Sequence, residues 1–428
     1  MNICMFTNTY LPHVGGVACS VALFAEDLQN LGHQVLVVAP VFPDELQEER
    51  QENILRVPAI QNFNGSDFSL RIAVPFKIAN RIKEFQPDII HSHHPYLLGD
   101  AALRTAWRRN IPLVFTHHTL YEKYTHYVPL DSNNLQRFVI NLSTQYANLC
   151  NRVIAPSHSV AELIKERGVT TPIEEIPTGV DLDFFNHGQG ERFLREQGIA
   201  NQKPVIGHVG RLAPEKNLRY LAEAAALFLK NHQGTFLVVG KGASEKEILN
   251  AFQSIRLDQK VMLVGEKTGR ELSDAYSAMD LFLFASKTET QGMVLVEAMA
   301  AGQPVIAVDA SGVREVVEDG QNGRLLREDA SQEEFARAIN GFVSNPETAQ
   351  KWRQGALKTA GSFARRKVAN YLLQLYESVT NEYAAKSRGA DDLNAWDKIL
   401  GGLKAEWALI SQKAAASVSL FNNGDESS

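Results

Sequence analysis

Two glutamates, Glu289 and Glu297, stand eight positions apart around Gly292. The apolar run 281–284 before them reads as a strand, and so does 304–307 after them. The alanine-rich stretch between reads as a helix that starts near Gly292. The first N–H groups of a helix have no intrahelical partner and sit at the positive end of its dipole. Met293 and Val294 therefore offer two amides to an anion. Glu289 lies in the loop before that start, and Glu297 about one turn into the helix. An anion docked there is flanked by two carboxylates, which suit hydroxyl groups rather than the anion itself. A phosphate with sugars on either side, a nucleotide sugar, meets this demand. Spacing alone fits equally well an ordinary strand–helix unit with two solvated glutamates.

Three other clusters have chemical potential. Arg211 and Lys216 lie five apart across a proline-bearing loop at a strand exit. Two cations there can neutralise a diphosphate and stabilise its departure, although a solvated charged loop has the same composition. Gly15 and Gly16 sit between a first strand and a first helix, where glycine lets backbone approach a phosphate closely. They do not form the three-glycine dinucleotide fingerprint, and a plain flexible turn is the alternative. The third cluster is histidine-rich: His91, His93 and His94 follow one strand, and His117 and His118 follow the next. No His-x-x-x-His helix with a following acid accompanies them, nor do further ligands, so no metal site is expected. Histidines at the carboxyl end of a parallel strand more often line a substrate crevice. A satisfied histidine pair with packing tyrosines is the other reading of 116–127.

The string Ser286–Ile306 resembles the glutamate–seven residues–glutamate signature of retaining nucleotide-sugar glycosyltransferases of family 4 type, which have the GT-B fold. The resemblance covers about 1–385. It implies that Glu289 faces the donor sugar and that Glu297 holds the ribose hydroxyls. Arg211 and Lys216 match the family's grip on the donor pyrophosphate. Gly15 and Gly16 match its glycine-rich loop, and His118 its donor-sugar histidine. The loop after 261–264 matches the one that holds the nucleobase, with Lys267 as its side chain. Members of this fold generally need no metal, and none is expected here. The nearest Asp-x-Asp string, Asp181-Leu-Asp183, lies at a turn resembling the interdomain one. The strings 9–17, 116–124 and 289–293 look like those of bacterial diacylglycerol glucosyltransferases, with Thr290-Gln291 replacing a phenylalanine-rich form. That subgroup uses UDP-glucose. The expected reaction is transfer of a hexose, with retention, from a UDP-sugar to a lipid hydroxyl such as that of 1,2-diacylglycerol. A cytosolic enzyme with a soluble acceptor is the alternative, and a nucleotide-sugar-binding regulator without turnover is a third reading.

Composition agrees with this and excludes other classes. The 428 residues are too many for one core, so two domains plus extras are expected. A net charge of −6 argues against a generic nucleic-acid binder. Cys4, Cys19 and Cys150 are scattered, which suggests a reducing cytosol. The first residues lack the basic and apolar regions of a signal peptide, and no apolar run reaches 18 residues. A cytoplasmic protein is expected, either free or peripheral at the inner face of the cell membrane.

Strand and helix signals alternate along both halves, which predicts two parallel sheets with helices on both faces. The expected layout is a Rossmann-like acceptor-side domain over 1–187 and a nucleotide-sugar domain over 188–365. A crossover helix over 366–385 would pack back on the first domain, and a tail over 386–428 would follow. The polar stretch 188–203 reads as linker and entry to the second domain. The four candidate loops, at 15–16, 118, 211–216 and 289–297, all stand at strand exits, where ligands bind such sheets. Closure of the two domains would assemble the site. In the tail, Trp396, Ile399, Leu400, Leu403, Trp407 and Ile410 recur at helical spacing, with Lys398, Lys404 and Lys413 off that face. Such a helix suits a membrane interface, a partner subunit or the protein's own body.

Overall fold

The computed structural model describes residues 1–12, 15–41, 52–60, 70–71, 75–123, 133–199 and 202–388. The helix expected at 396–410, within the tail 386–428, lies outside the described residues. The chain divides into two compact units. One holds Met1–Pro177 and the chain from Val368 onward, and the other holds Thr178–Lys367.

The first unit is built on strands β1 (Asn2–Phe6), β2 (Gln34–Pro40) and β3 (Ile54–Val57). A small antiparallel pair, β4 (Ala59–Ile60) and β5 (Leu70–Arg71), follows. Then come β6 (Ile89–Ser92), β7 (Leu113–Thr116), β8 (Arg152–Ala155) and β9 (Ile173–Glu175). The main sheet is parallel, in the order β3-β2-β1-β6-β7-β8-β9. Period-two alternation fills both faces. Cys4, Phe6, Leu36, Val38, Ile90 and Phe115 enter one core, and Ile3, Met5, Val35, Val37, Ile89 and Val114 the other. The second of these cores also takes Val368, Leu372, Tyr376 and Val379. These recur at helical spacing along the helix Arg365–Arg388, so its apolar stripe packs on the first unit's sheet.

The second unit contains β10 (Val205–Val209), β11 (Thr235–Val239), β12 (Val261–Leu263), β13 (Leu281–Phe284), β14 (Val305–Val308) and β15 (Gly323–Leu326). Its sheet is also parallel, in the order β12-β11-β10-β13-β14-β15. In both sheets the strand order reverses once, between β1 and β6 and between β10 and β13. Loops leaving two such neighbouring strands run to opposite faces and leave a crevice at their carboxyl ends.

One expectation needs correction. The stretch 188–203 is not a linker but contains the helix Gly190–Glu196, with Phe193 and Leu194 buried. Its glycines serve contact rather than flexibility: a Cβ on Gly188 would lie 2.4 Å from the Ser273 carbonyl oxygen, and one on Gly190 2.3 Å from that of Ser277. Asp274 also accepts from the Gln189 N–H at 2.5 Å and pairs with Arg192.

Candidate active site

The second unit's crevice collects most of the predicted residues. The loop leaving β10 carries Arg211 and Lys216 through a single 3-10 turn, Pro214–Lys216. The loop leaving β13 carries Glu289 and enters the helix Met293–Ala300 at Gly292. Because β10 and β13 are neighbours, the loops meet: Lys216 Nζ donates to Glu289 Oε1 in an ion pair with both side chains at least four-fifths buried. Burial raises the Glu289 carboxyl, but the Lys216 charge and hydrogen bonds from Lys216 and Ser286 outweigh it, and the net shift is downward. Arg211 donates to Glu215 at 2.6 Å across its own loop.

Gly292 has φ of +74°, the left-handed region that favours glycine, and a Cβ there would lie 2.8 Å from Leu295 Cδ1. The Leu295 N–H donates back to the Gly292 carbonyl at 2.9 Å. Met293 and Val294 present the remaining N–H groups of the first turn. Glu297, one turn on, accepts from the Tyr276 hydroxyl at 2.7 Å. Burial raises its carboxyl pKa, and the Tyr276 bond only partly offsets this. One helix thus holds a start whose N–H groups suit an anion and a buried carboxyl group.

Glycines bring the other strand exits close together. A Cβ on Gly240, after β11, would strike the Gly210 carbonyl oxygen at 1.9 Å, and one on Gly242 would meet that of Leu212 at 2.3 Å. The Gly240 N–H donates to Gly265, after β12, at 2.9 Å. Lys267, two residues further, lies 3.4 Å from Glu271 with its side chain largely buried.

Sequence reasoning missed two members of this group. Tyr276 sits on the helix Gly269–Ala278, and only the fold brings it to Glu297. His208, near the end of β10, donates from Nδ1 to the Leu283 carbonyl at 3.1 Å. Burial pushes its pKa down to about 4, so the ring is neutral, and Nε2 is an acceptor with no hydrogen-bond partner in the structure.

Gly15, Gly16 and His118 belong to the first unit. Gly16 is the first residue of the helix Gly16–Asn30 rather than part of a loop. Gly15 has φ of −167°, open to any residue, and a Cβ on Gly16 would meet nothing within 4 Å. Neither the φ of Gly15 nor the space around Gly16 demands glycine. His118 Nε2 lies 2.9 Å from His93 Nδ1, and the two rings stack. Burial first, then the neighbouring rings, push both pKa values far down. His94 Nδ1 accepts from the Asn8 N–H at 3.1 Å, tying the β6 exit to the β1 exit across this sheet's own reversal point.

His91 departs from the crevice-lining expectation. Its Nδ1 lies 2.6 Å from the Tyr376 hydroxyl and its Nε2 2.7 Å from Thr116 Oγ1, so both ring nitrogens serve the protein. It anchors the C-terminal helix. Asp181, of the Asp-x-Asp string, caps the helix Leu182–Asn186 and pairs with Arg365. Among the described residues no group of three or more His, Cys, Asp and Glu could hold a metal ion, and no helix is long and apolar enough to cross a membrane.

Comparison with known proteins places this geometry in a family. Residues 14–184 match Glycosyltransferase Family 4, and residues 190–359 match Glycosyl transferases group 1. The alpha-monoglucosyldiacylglycerol synthase of Streptococcus pneumoniae is 30% identical over 76% of this chain and 75% of its own. The enzyme of the same name from Acholeplasma laidlawii is 29% identical over 88% of this chain and 96% of its own. A GDP-mannose-dependent alpha-mannosyltransferase of Mycobacterium tuberculosis is 28% identical, covering 89% and 97%. Among solved structures, Anabaena HepE in complex with UDP superposes with a TM-score of 0.70 at 20% identity, covering 88% of this chain and all of that one. Two parallel Rossmann-like units, a paired lysine and glutamate at the second reversal point and these relatives together make the chain a family 4 glycosyltransferase of GT-B fold, a hexosyl-transferring enzyme.

Proposed function

We propose that the enzyme moves glucose, with retention, from UDP-glucose to a lipid hydroxyl such as that of 1,2-diacylglycerol. The observation that carries the donor half is the Lys216–Glu289 pair beside the free helix start at Met293 and Val294. On this reading Arg211, Lys216 and the two amides neutralise the diphosphate. Glu289 orients the sugar through its hydroxyls, Glu297 takes the ribose, and Lys267 lies by the nucleobase. Positive charge comes from the protein, so no metal or other cofactor is required. The bond from the sugar's C1 to the β-phosphate oxygen breaks, and the acceptor oxygen bonds to C1 on the same face. The acceptor proton passes to the departing phosphate. No protein nucleophile is needed, and Glu289 acts as a positioner. Gly15, Gly16 and His118 would serve from the first unit.

The names of the two glucosyldiacylglycerol synthases support glucose and a lipid acceptor, and the amphipathic pattern over 396–410 supports action at a membrane surface. The mannosyltransferase relative, equally well covered, supports a GDP-mannose reading as the second possibility. The test uses the purified full chain with UDP-glucose or GDP-mannose, vesicles with or without diacylglycerol, and a chelator arm. UDP release with formation of a glucosyl lipid, unchanged by EDTA, is expected. Turnover of GDP-mannose alone would replace the donor. Transfer only to soluble sugars would replace the acceptor, and loss in EDTA restored by magnesium would overturn the charge assignment.

A further inference from the structure

Gln291 lies between Glu289 and Gly292, where the sequence departs from the phenylalanine-rich form of the motif. Its side chain does not face solvent: the residue is 5% exposed. The Thr178 N–H donates to Gln291 Oε1 at 2.6 Å, and Gln291 Nε2 donates to the Thr178 carbonyl at 2.8 Å. One side-chain amide thus pairs with both backbone polar groups of a single residue. A hydrophobic ring at this position has neither group.

Thr178 is the residue through which the chain enters the second unit. The segment it begins is held in turn by the segment through which the chain leaves. The Val180 N–H donates to the Phe363 carbonyl at 2.8 Å, and the Arg365 N–H donates to the Val180 carbonyl at 3.0 Å. Arg365 also pairs with Asp181 at 3.1 Å. Gly179 allows this approach, since a Cβ there would lie 2.5 Å from Arg365 Cα. On its other side the Gln291 loop is confined by Gly312, where a Cβ would come within 2.8 Å of the Gln291 nitrogen. The loop that carries Glu289 is therefore wired by one amide to both chain crossings.

We propose that Gln291 is a positioning residue that couples occupancy of the donor loop to the paired segments joining the two units. This rests on the donor-site reading above. A force on Thr178 reaches Glu289 two residues away, and a ligand that orders the loop orders 178–180 as well.

Hydrogen exchange on the full chain, with and without UDP, tests this in the wild type, Gln291→Leu and Gln291→Glu. In the wild type UDP is expected to slow exchange both at 289–294 and at 178–180. In Gln291→Leu the protection at 289–294 persists and that at 178–180 is lost, while kcat/KM for the donor falls about tenfold, the order expected from two neutral hydrogen bonds. Ionised Gln291→Glu can accept from the Thr178 N–H but cannot donate to its carbonyl, whereas the protonated form does both. Its activity relative to wild type should therefore rise as pH falls, and the UDP-dependent protection at 178–180 should return with it, which a merely structural role would not produce. Protection at 289–294 without any change at 178–180 in the wild type overturns the coupling and leaves the donor site standing. So does coupling that survives in Gln291→Leu. A Gln291→Glu pH profile parallel to wild type also overturns it, even where Gln291→Leu fails to fold. Absence of UDP protection at 289–294 in the wild type removes the donor-site reading, and this inference with it.

Discussion

The two sheets reverse strand order in the same way, yet the two crevices hold opposite kinds of polar group. In the second unit charges dominate and are answered: Lys216 by Glu289, Arg211 by Glu215, Lys267 by Glu271. In the first, His93, His94, His117 and His118 are all buried and held neutral, with His93 Nε2 and His117 Nδ1 lacking partners in the structure. Topology supplies a crevice twice, and residue type then decides what each can bind. Paired ions poised at a helix start suit an anion. Neutral rings, each able to donate from one nitrogen and accept at the other, suit hydroxyl groups and resist picking up charge near neutral pH.

The largest expected effect comes from unbalancing the charged crevice. Lys216→Ala leaves the Glu289 carboxylate buried without its cation, a loss of about 3–5 kcal/mol in stability. Thermal unfolding of the second unit should fall accordingly, and UDP affinity should fall with it. A variant that unfolds as the wild type does and binds UDP equally would remove the paired-ion account. Next come the two glutamates, which should fail differently. Glu289→Ala should lower kcat roughly ten- to hundredfold, from one lost charged hydrogen bond of about 1.5–3 kcal/mol. Glu297→Ala should chiefly raise the donor KM, because a ribose contact is the same before and during the reaction. Steady-state kinetics that show the same split in both variants would contradict the assigned roles.

Much of this was legible in the sequence because the signals were local. Alternating apolar runs gave both parallel sheets, and strand–loop–helix punctuation placed Arg211, Lys216, Glu289 and Gly292 at strand exits. What stayed hidden depended on distant partners. Gly188 and Gly190 looked like linker until the helix Gly269–Ala278 was seen packed against them. His91 looked like its neighbours, but its partners Tyr376 and Thr116 lie 285 and 25 positions away. Tyr276 and Gln291 gained meaning only from Glu297 and Thr178. Periodicity reports a residue's own element, not what another element brings to it.

A smaller effect is expected from the neutral crevice. His118→Ala removes one ring of a stacked pair and should cut transfer while leaving UDP affinity near the wild-type value, since His118 belongs to the first unit and the charged groups to the second. Calorimetry with UDP alongside transfer assays separates the two. Unchanged transfer in a folded variant would reduce the histidine cluster to packing.

The pH dependence of stability divides the two acids most cleanly. Glu289 has a lowered pKa, so its contribution to stability is present above the unfolded-state value and lost as pH falls through the folded one. Glu297 has a raised pKa, so its contribution is present below the unfolded-state value and lost as pH rises through the folded one. Glutamine imitates the protonated form of each. Glu289→Gln should therefore cost progressively more as pH rises through the carboxyl range, from about 3 to 6. Glu297→Gln keeps an acceptor for the Tyr276 hydroxyl and should gain on the wild type over the same interval. Thermal unfolding of the three proteins across that range gives two difference curves of opposite slope. Curves of the same slope would mean that the Lys216 charge does not outweigh burial at Glu289, and the contrast between the two carboxylates would be lost.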